Sequence, residues 1–144
     1  MLVGLEWLTV LAATLFASWA LYISLVEHPA RSRAGAPGAQ MQFRESYRRA
    51  APFQASAAAV SGGAGIASSL LANDARWAVG GVIVALAIPF TLVVIKPTNR
   101  ILLGPDVDAA RARELLERWG RLHWIRTGLG LVGVGVLASR LALR

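Results

Sequence analysis

No cysteine occurs in this chain. That excludes disulfides, iron–sulfur clusters and thiolate metal ligands, and leaves the compartment open. Charge is also scarce, at 16% of 144 residues, and it is missing altogether from several long stretches. No phosphate-binding glycine loop, nucleophile elbow or dinucleotide fingerprint occurs, so the common nucleotide and hydrolase chemistries have no foothold. Histidine appears twice, as His28 and His123. In a chain with so few titratable groups, these two are the natural starting point for chemistry.

What is abundant is apolar surface. The chain is 56% hydrophobic, with a mean hydropathy of +0.53. The apolar residues form continuous runs, whereas a membrane barrel needs alternating segments of about ten residues. The expectation is therefore one all-α membrane domain, a four-helix bundle spanning residues 1–144, since helices satisfy their own backbone in lipid.

The expected spans are about 5–27, 50–72, 77–96 and 123–142. The first has no basic residue before it and exceeds the roughly 7–15-residue core of a signal peptide, so it reads as a retained helix. The second is rich in Ala, Gly and Ser, which permit close helix approach in lipid. The third contains Pro89, a candidate kink. In the fourth only Thr127 to Ser139 is free of charge, so the helix must recruit its flanks. Arg126 then falls at the hydrocarbon boundary, with His123 one turn beyond.

Net charge is +7. Its distribution points to membrane topology rather than nucleic acid. Arg31, Arg33, Arg44, Arg48 and Arg49 follow the first span. Lys96, Arg100, Arg111, Arg113, Arg118, Arg121 and Arg126 follow the third. Those twelve of the fifteen cations lie on one side, against Arg76, Arg140 and Arg144 on the other. The positive-inside rule places both long loops in the cytoplasm and both termini outside, in a plasma (inner) membrane. His28 and His123 then share the cytoplasmic face.

The loops carry structure of their own. Asp106 or Asp108 can N-cap a helix running to about Leu122. Leu115, Leu116, Trp119, Leu122 and His123 share its apolar face, and Arg113–Glu117, Glu114–Arg118 and Glu117–Arg121 are i,i+4 pairs on the other side. This predicts a cytoplasmic amphipathic helix before the fourth span. Gln40 to Arg49 can start the second helix early, with Phe43, Tyr47 and Gln54 on one face. Arg31 to Gly38 reads as a turn. Pro29 and Pro97 read as helix stops.

Several candidates for chemistry follow. His28 and His123 suit general-base work, and with Glu27 they form a two-histidine, one-carboxylate set fit for iron, copper or zinc. The ordinary alternative is a pair of interfacial histidines. Arg126 can pair with Glu27 across the bundle or hold an enolate oxygen. Asn99 and Thr98 offer neutral hydrogen bonds to a carbonyl or hydroxyl. Tyr47, Trp119 and Trp124 can wall a flat aromatic substrate, as aromatic belts also explain. Glu6 reads as an interfacial carboxylate.

Three segments together resemble a known family. They are Leu21-Tyr22-Ile23-Ser24-Leu25-Val26-Glu27-His28-Pro29-Ala30-Arg31, Lys96-Pro97-Thr98-Asn99-Arg100-Ile101-Leu102, and Arg118-Trp119-Gly120-Arg121-Leu122-His123-Trp124-Ile125-Arg126. The chain is similar, nearly end to end, to the anthrone oxygenase-like family of small four-helix membrane proteins. Fungal members oxidise an anthrone at its central carbon to the anthraquinone with dioxygen. The resemblance implies an oxygenase for a small apolar phenolic or anthrone-like substrate. Its motifs fall on Glu27, His28 and Pro29, on Pro97, Thr98 and Asn99, and on Trp119, His123 and Arg126; the expected site is His28, His123, Arg126 and Asn99, with Trp119, Thr98 and, from the aromatic reading above, Tyr47 at the substrate. Iron or copper, or no cofactor beyond dioxygen, remain open. Two other readings stand beside it. One is a non-catalytic module whose Gly62, Gly63, Gly130 and Gly133 mediate homo-oligomerisation or partner assembly. The other is a small transporter or metal carrier, for which the spans offer almost no polar path beyond Glu6.

Overall fold

The computed structural model describes residues 1–105 and 107–142, and among these it is all-helical, without strands. Asp106, a candidate cap, and Arg144, one of the outer charges, lie outside the described residues. Four helices are long and apolar enough to cross a membrane: α1, Leu2–Arg33; α2, Ala36–Ala72; α3, Ala75–Leu102; and α4, Ala109–Ala142. The protein is thus a multi-pass membrane helix bundle. Each helix packs on its two neighbours in a ring, α1 to α2 to α3 to α4 and back to α1, and the diagonal pairs touch far less.

The amphipathic helix and the fourth span are one continuous element. Leu115, Leu116, Trp119 and His123 are buried along it, and the Asp108 carboxylate caps it by accepting from the Arg111 amide at 3.0 Å. Arg113 pairs with Glu117, while Glu114 takes Arg111 rather than Arg118. The second helix does begin early, at Ala36, after a turn whose Gly35 adopts φ +75.

Pro29 and Pro97 do not stop their helices. α1 continues to Arg33 and α3 to Leu102. Each proline follows a π turn, Ile23–Glu27 or Thr91–Ile95. The amide just before the proline reaches back five residues, His28 to Ile23 and Lys96 to Thr91. The wider turn accommodates the proline ring and its missing donor. One added residue also rotates the helix that follows by about 100°. Beyond Pro97, Gln40 and Arg44 of α2 fasten the end of α3, both donating to the Leu102 carbonyl at 3.1 Å.

Small residues hold the half of the bundle away from these prolines. A Cβ on Gly65 would stand 2.6 Å from the Trp77 carbonyl oxygen, and one on Gly133 would stand 2.8 Å from that of Gly80. Gly62 faces Ala85 of α3, and Gly130 faces Ala17 of α1. Three of the four glycines considered for assembly are therefore consumed inside one copy, and Gly63 alone faces open space. Overpacking a close contact costs about 1–3 kcal/mol, or on the order of 5–10 °C here. Gly133→Leu should lower the melting temperature by that amount, and Gly63→Leu should leave it unchanged. Thermal unfolding in mild detergent checks the pair.

At the same end, Asp74 caps α3, accepting from the Arg76 amide at 3.1 Å and its Nη2 at 2.9 Å, and pairing with Arg140. The Arg76 side-chain hydrogen bonds are the main reason its carboxyl is pulled down to about 2. A depressed folded pKa means the ionised carboxylate stabilises fully above the unfolded value near 3.8 and loses that effect as pH falls towards 2. Asp74→Asn should therefore melt earlier than wild type at pH 7, with the difference closing between pH 4 and pH 2. A gap that persists at pH 2 would assign the effect to shape rather than charge.

Candidate functional site

At the end of the bundle that carries Pro29 and Pro97, α1, α2 and α4 line a narrow, open cleft. α1 contributes Glu27 and Arg31, α2 contributes Tyr47 and Gln54, and α4 contributes Trp119, His123 and Arg126. The i,i+4 step from Trp119 to His123 stacks their rings, with centroids 4.6 Å apart and planes 26° apart. Arg126 follows one turn later.

His123 is buried, and its Nδ1 is occupied. Ser24 Oγ lies 3.0 Å from that nitrogen and 2.9 Å from Thr127 Oγ1. Thr127 donates to the carbonyls of Ala20 and His123, each at 3.2 Å. A carbonyl only accepts, so this end orients the chain. With the single Thr127 proton on one of these carbonyls, Ser24 donates to Thr127 and accepts from Nδ1–H. The neutral ring then carries its lone pair on Nε2. Ser24 belongs to the π turn of α1, the irregularity that Pro29 imposes.

Arg126 is 8% exposed, and it does not pair with Glu27. Its Nη2 donates to Gln54 Oε1 at 2.9 Å, and its guanidinium lies 5.5 Å from the Phe16 ring centroid. Its Nε and the Gln54 Nε2 are buried without partners. Glu27 is taken by Arg31 at 2.5 Å, because the two are an i,i+4 pair on the same helix. Arg31 also donates to Gln42 and Ser46 and lies 5.5 Å from the Trp119 centroid. Among the described residues, Arg126 is thus a buried cation with an amide and a ring for company but no carboxylate.

The remaining candidates divide. Asn99 Nδ2 donates to the Tyr47 hydroxyl at 3.0 Å, which leaves the Tyr47 proton available to a ligand and Asn99 Oδ1 buried without a partner. Thr98 is buried but lines neither this cleft nor the chamber beside it. Trp124 is 46% exposed, on the lipid side of α4. Glu6 is buried in the bundle.

The two histidines reach the same end of the bundle without forming one ligand shell. His28 packs on Trp119 at 5.4 Å and on Gly120, where any Cβ would strike its ring, and it does not line the cleft. Among the described residues, no group of three or more His, Asp or Glu side chains is arranged to hold a metal ion. Glu27, His28 and His123 therefore do not assemble as a facial triad.

Four residues of the site were not legible as such from the sequence: Ser24, Arg31, Gln54 and Thr127. Arg31 counts as a loop charge until the helix is seen to pass through Pro29. Its i,i+4 spacing from Glu27 is the one available signal.

The family model for anthrone oxygenase matches residues 43–136, about two thirds of the chain. The match takes in Tyr47, Gln54, Asn99, Trp119, His123 and Arg126, and it begins after α1. No curated protein and no solved structure matches.

Proposed function

Because the chain belongs to the anthrone oxygenase family, we propose that it is a membrane oxygenase acting on a small, apolar phenolic or anthrone-like ketone with dioxygen. One observation carries the reading: a buried histidine held at Nδ1 by Ser24 stands one turn from a buried arginine that has no acidic partner among the described residues. Such a pair suits a neutral substrate that becomes an anion during reaction.

The sequence of events follows from these groups. His123 Nε2 takes a proton from the acidic methylene that faces the carbonyl across the central ring. The electron pair moves onto the carbonyl oxygen, and Arg126, helped by Gln54, holds the resulting enolate. The electron-rich carbon then reduces dioxygen and binds it, and the proton held by His123 completes a hydroperoxide. Removal of that carbon's remaining hydrogen as a proton, with cleavage of the O–O bond and departure of the outer oxygen as hydroxide, leaves a second carbonyl and one water. In sum, one dioxygen and one methylene give one ketone and one water. Tyr47, oriented by Asn99, and Trp119 pack on the rings. The charge distribution supports placing this end of the bundle in the cytoplasmic leaflet of the plasma membrane.

Protein in lipid nanodiscs, given an anthrone and ¹⁸O₂, should form the quinone faster than empty discs do. The new carbonyl should carry the label. A rate equal to that of empty discs sinks the proposal.

A further inference from the structure

A second, larger chamber of about 140 Å³ adjoins the cleft and shares Tyr47, Ala51, Gln54 and Arg126 with it. Its other walls are apolar save Thr91, whose hydroxyl is spent on the Ala87 carbonyl at 2.6 Å: Phe16 of α1, Ala55 and Ala58 of α2, and Ala87, Ile88 and Leu92 of α3. Ala55 and Leu92 are exposed, Leu92 by 56%, and both belong to membrane-spanning segments. The chamber therefore opens sideways, between α2 and α3, on segments apolar enough to lie in a bilayer.

The opening has a cause in the sequence. α2 and α3 press together where Gly62, Gly65 and Gly81 lack side chains. Nearer the site, α2 carries Pro52 and α3 carries Pro89 followed by the π turn Thr91–Ile95. There the two helices make few contacts, and the gap between them is the chamber. At its inner wall stand Arg126 and Gln54, 92% and 98% buried, each with an unpartnered nitrogen.

We propose that this gap is a doorway from the bilayer and the chamber a binding site for a lipophilic weak acid. The ligand's rings lie among the alanines, and its single ionisable oxygen meets Arg126 and Gln54. The inference rests on the reading of Arg126 as the group that receives a substrate oxygen. It adds the route and a first resting place for the apolar body, one step short of the cleft where His123 and Trp119 meet the rings. The chemistry selects the ligand class: a charge at the far end of the rings would be stranded in an apolar chamber, whereas one oxygen at the inner wall supplies the anion that the buried guanidinium lacks.

The probe is 2-naphthol, whose neutral and ionised forms differ in absorption, titrated into nanodiscs with partition into empty discs subtracted. Wild type should bind it saturably. Ala55→Trp, which fills the chamber, should weaken binding tenfold or more, whereas Val93→Trp, on a lipid-facing position of α3 that lines neither cavity, should not. Where Ala55→Trp fails to fold, Ala51→Leu reads the same point. Bound naphthol should ionise about one pH unit or more below its value in empty discs, and Arg126→Met should remove that shift. A naphthol bearing a sulfonate on its far ring should not bind. The doorway is overturned if Ala55→Trp and Ala51→Leu bind as wild type does, if Val93→Trp loses as much, or if the sulfonated probe binds equally well. Binding that follows this pattern without any acceleration of anthrone oxidation would uphold the site and sink the oxygenase reading alone.

Discussion

His123→Ala should lower anthrone oxidation by about 10³-fold, within the 10²–10⁴ that a positioned general base contributes. The proton-transfer step can be watched alone. Without dioxygen, the protein should exchange the methylene protons of an anthrone with heavy water faster than empty nanodiscs do, and His123→Ala should lose that acceleration. Ser24→Ala should cost less, about tenfold, because the base survives but Nδ1 loses the acceptor that sets the tautomer. His28→Ala should stay within a few-fold of wild type, since His28 lines no part of the cleft. Equal losses for the two histidines would argue for a shared role and against the division of labour drawn from their positions. Exchange that persists undiminished in His123→Ala would move the base elsewhere.

The division between the histidines shows how far a sequence carries such a site. Hydropathy runs and the arginine count brought residues 28 and 123 to one end of the bundle, and both arguments are one-dimensional. Whether two side chains at that end meet is a question of helix phase. Phase is reset by the π turn before Pro29, which no apolar run reveals, because a π turn conserves composition while shifting every later residue around the axis. The same shift hid Ser24, which sits inside the turn, and Arg31, whose burial depends on α1 continuing past its proline. Thr127 and Gln54 were hidden differently. A lone hydroxyl or amide in an apolar helix most often bonds its own backbone, and only the neighbouring helices distinguish a working group from a quiet one. Tyr47, Trp119 and Arg126 were legible because their types are costly to bury and their spacing along α2 and α4 follows a regular helix. Pro52 and Pro89 were visible as letters, but the gap they open needs the glycine contacts at the other end to define it.

Arg126→Met should separate activity from stability. In the ground state an anthrone is neutral, so the guanidinium gains its full attraction only as the enolate forms. Losing it should lower kcat by about 10²–10³-fold, as removal of an oxyanion-stabilising donor does, while KM moves far less. The folded protein should not suffer. Burying an unpaired cation costs several kcal/mol. Against this stand one charged hydrogen bond to Gln54, worth about 1.5–3 kcal/mol, and the attraction of the Phe16 ring, about 2 kcal/mol. Met retains the packing along the stem without the charge. The melting temperature of Arg126→Met should therefore hold or rise while turnover collapses. Arg126→Lys should recover part of kcat, since it restores the charge but not the planar fork that reaches both substrate and Gln54. A large fall in melting temperature with kcat unchanged would make Arg126 a structural cation, and the partner it lacks in the bundle would then have to be sought outside the substrate.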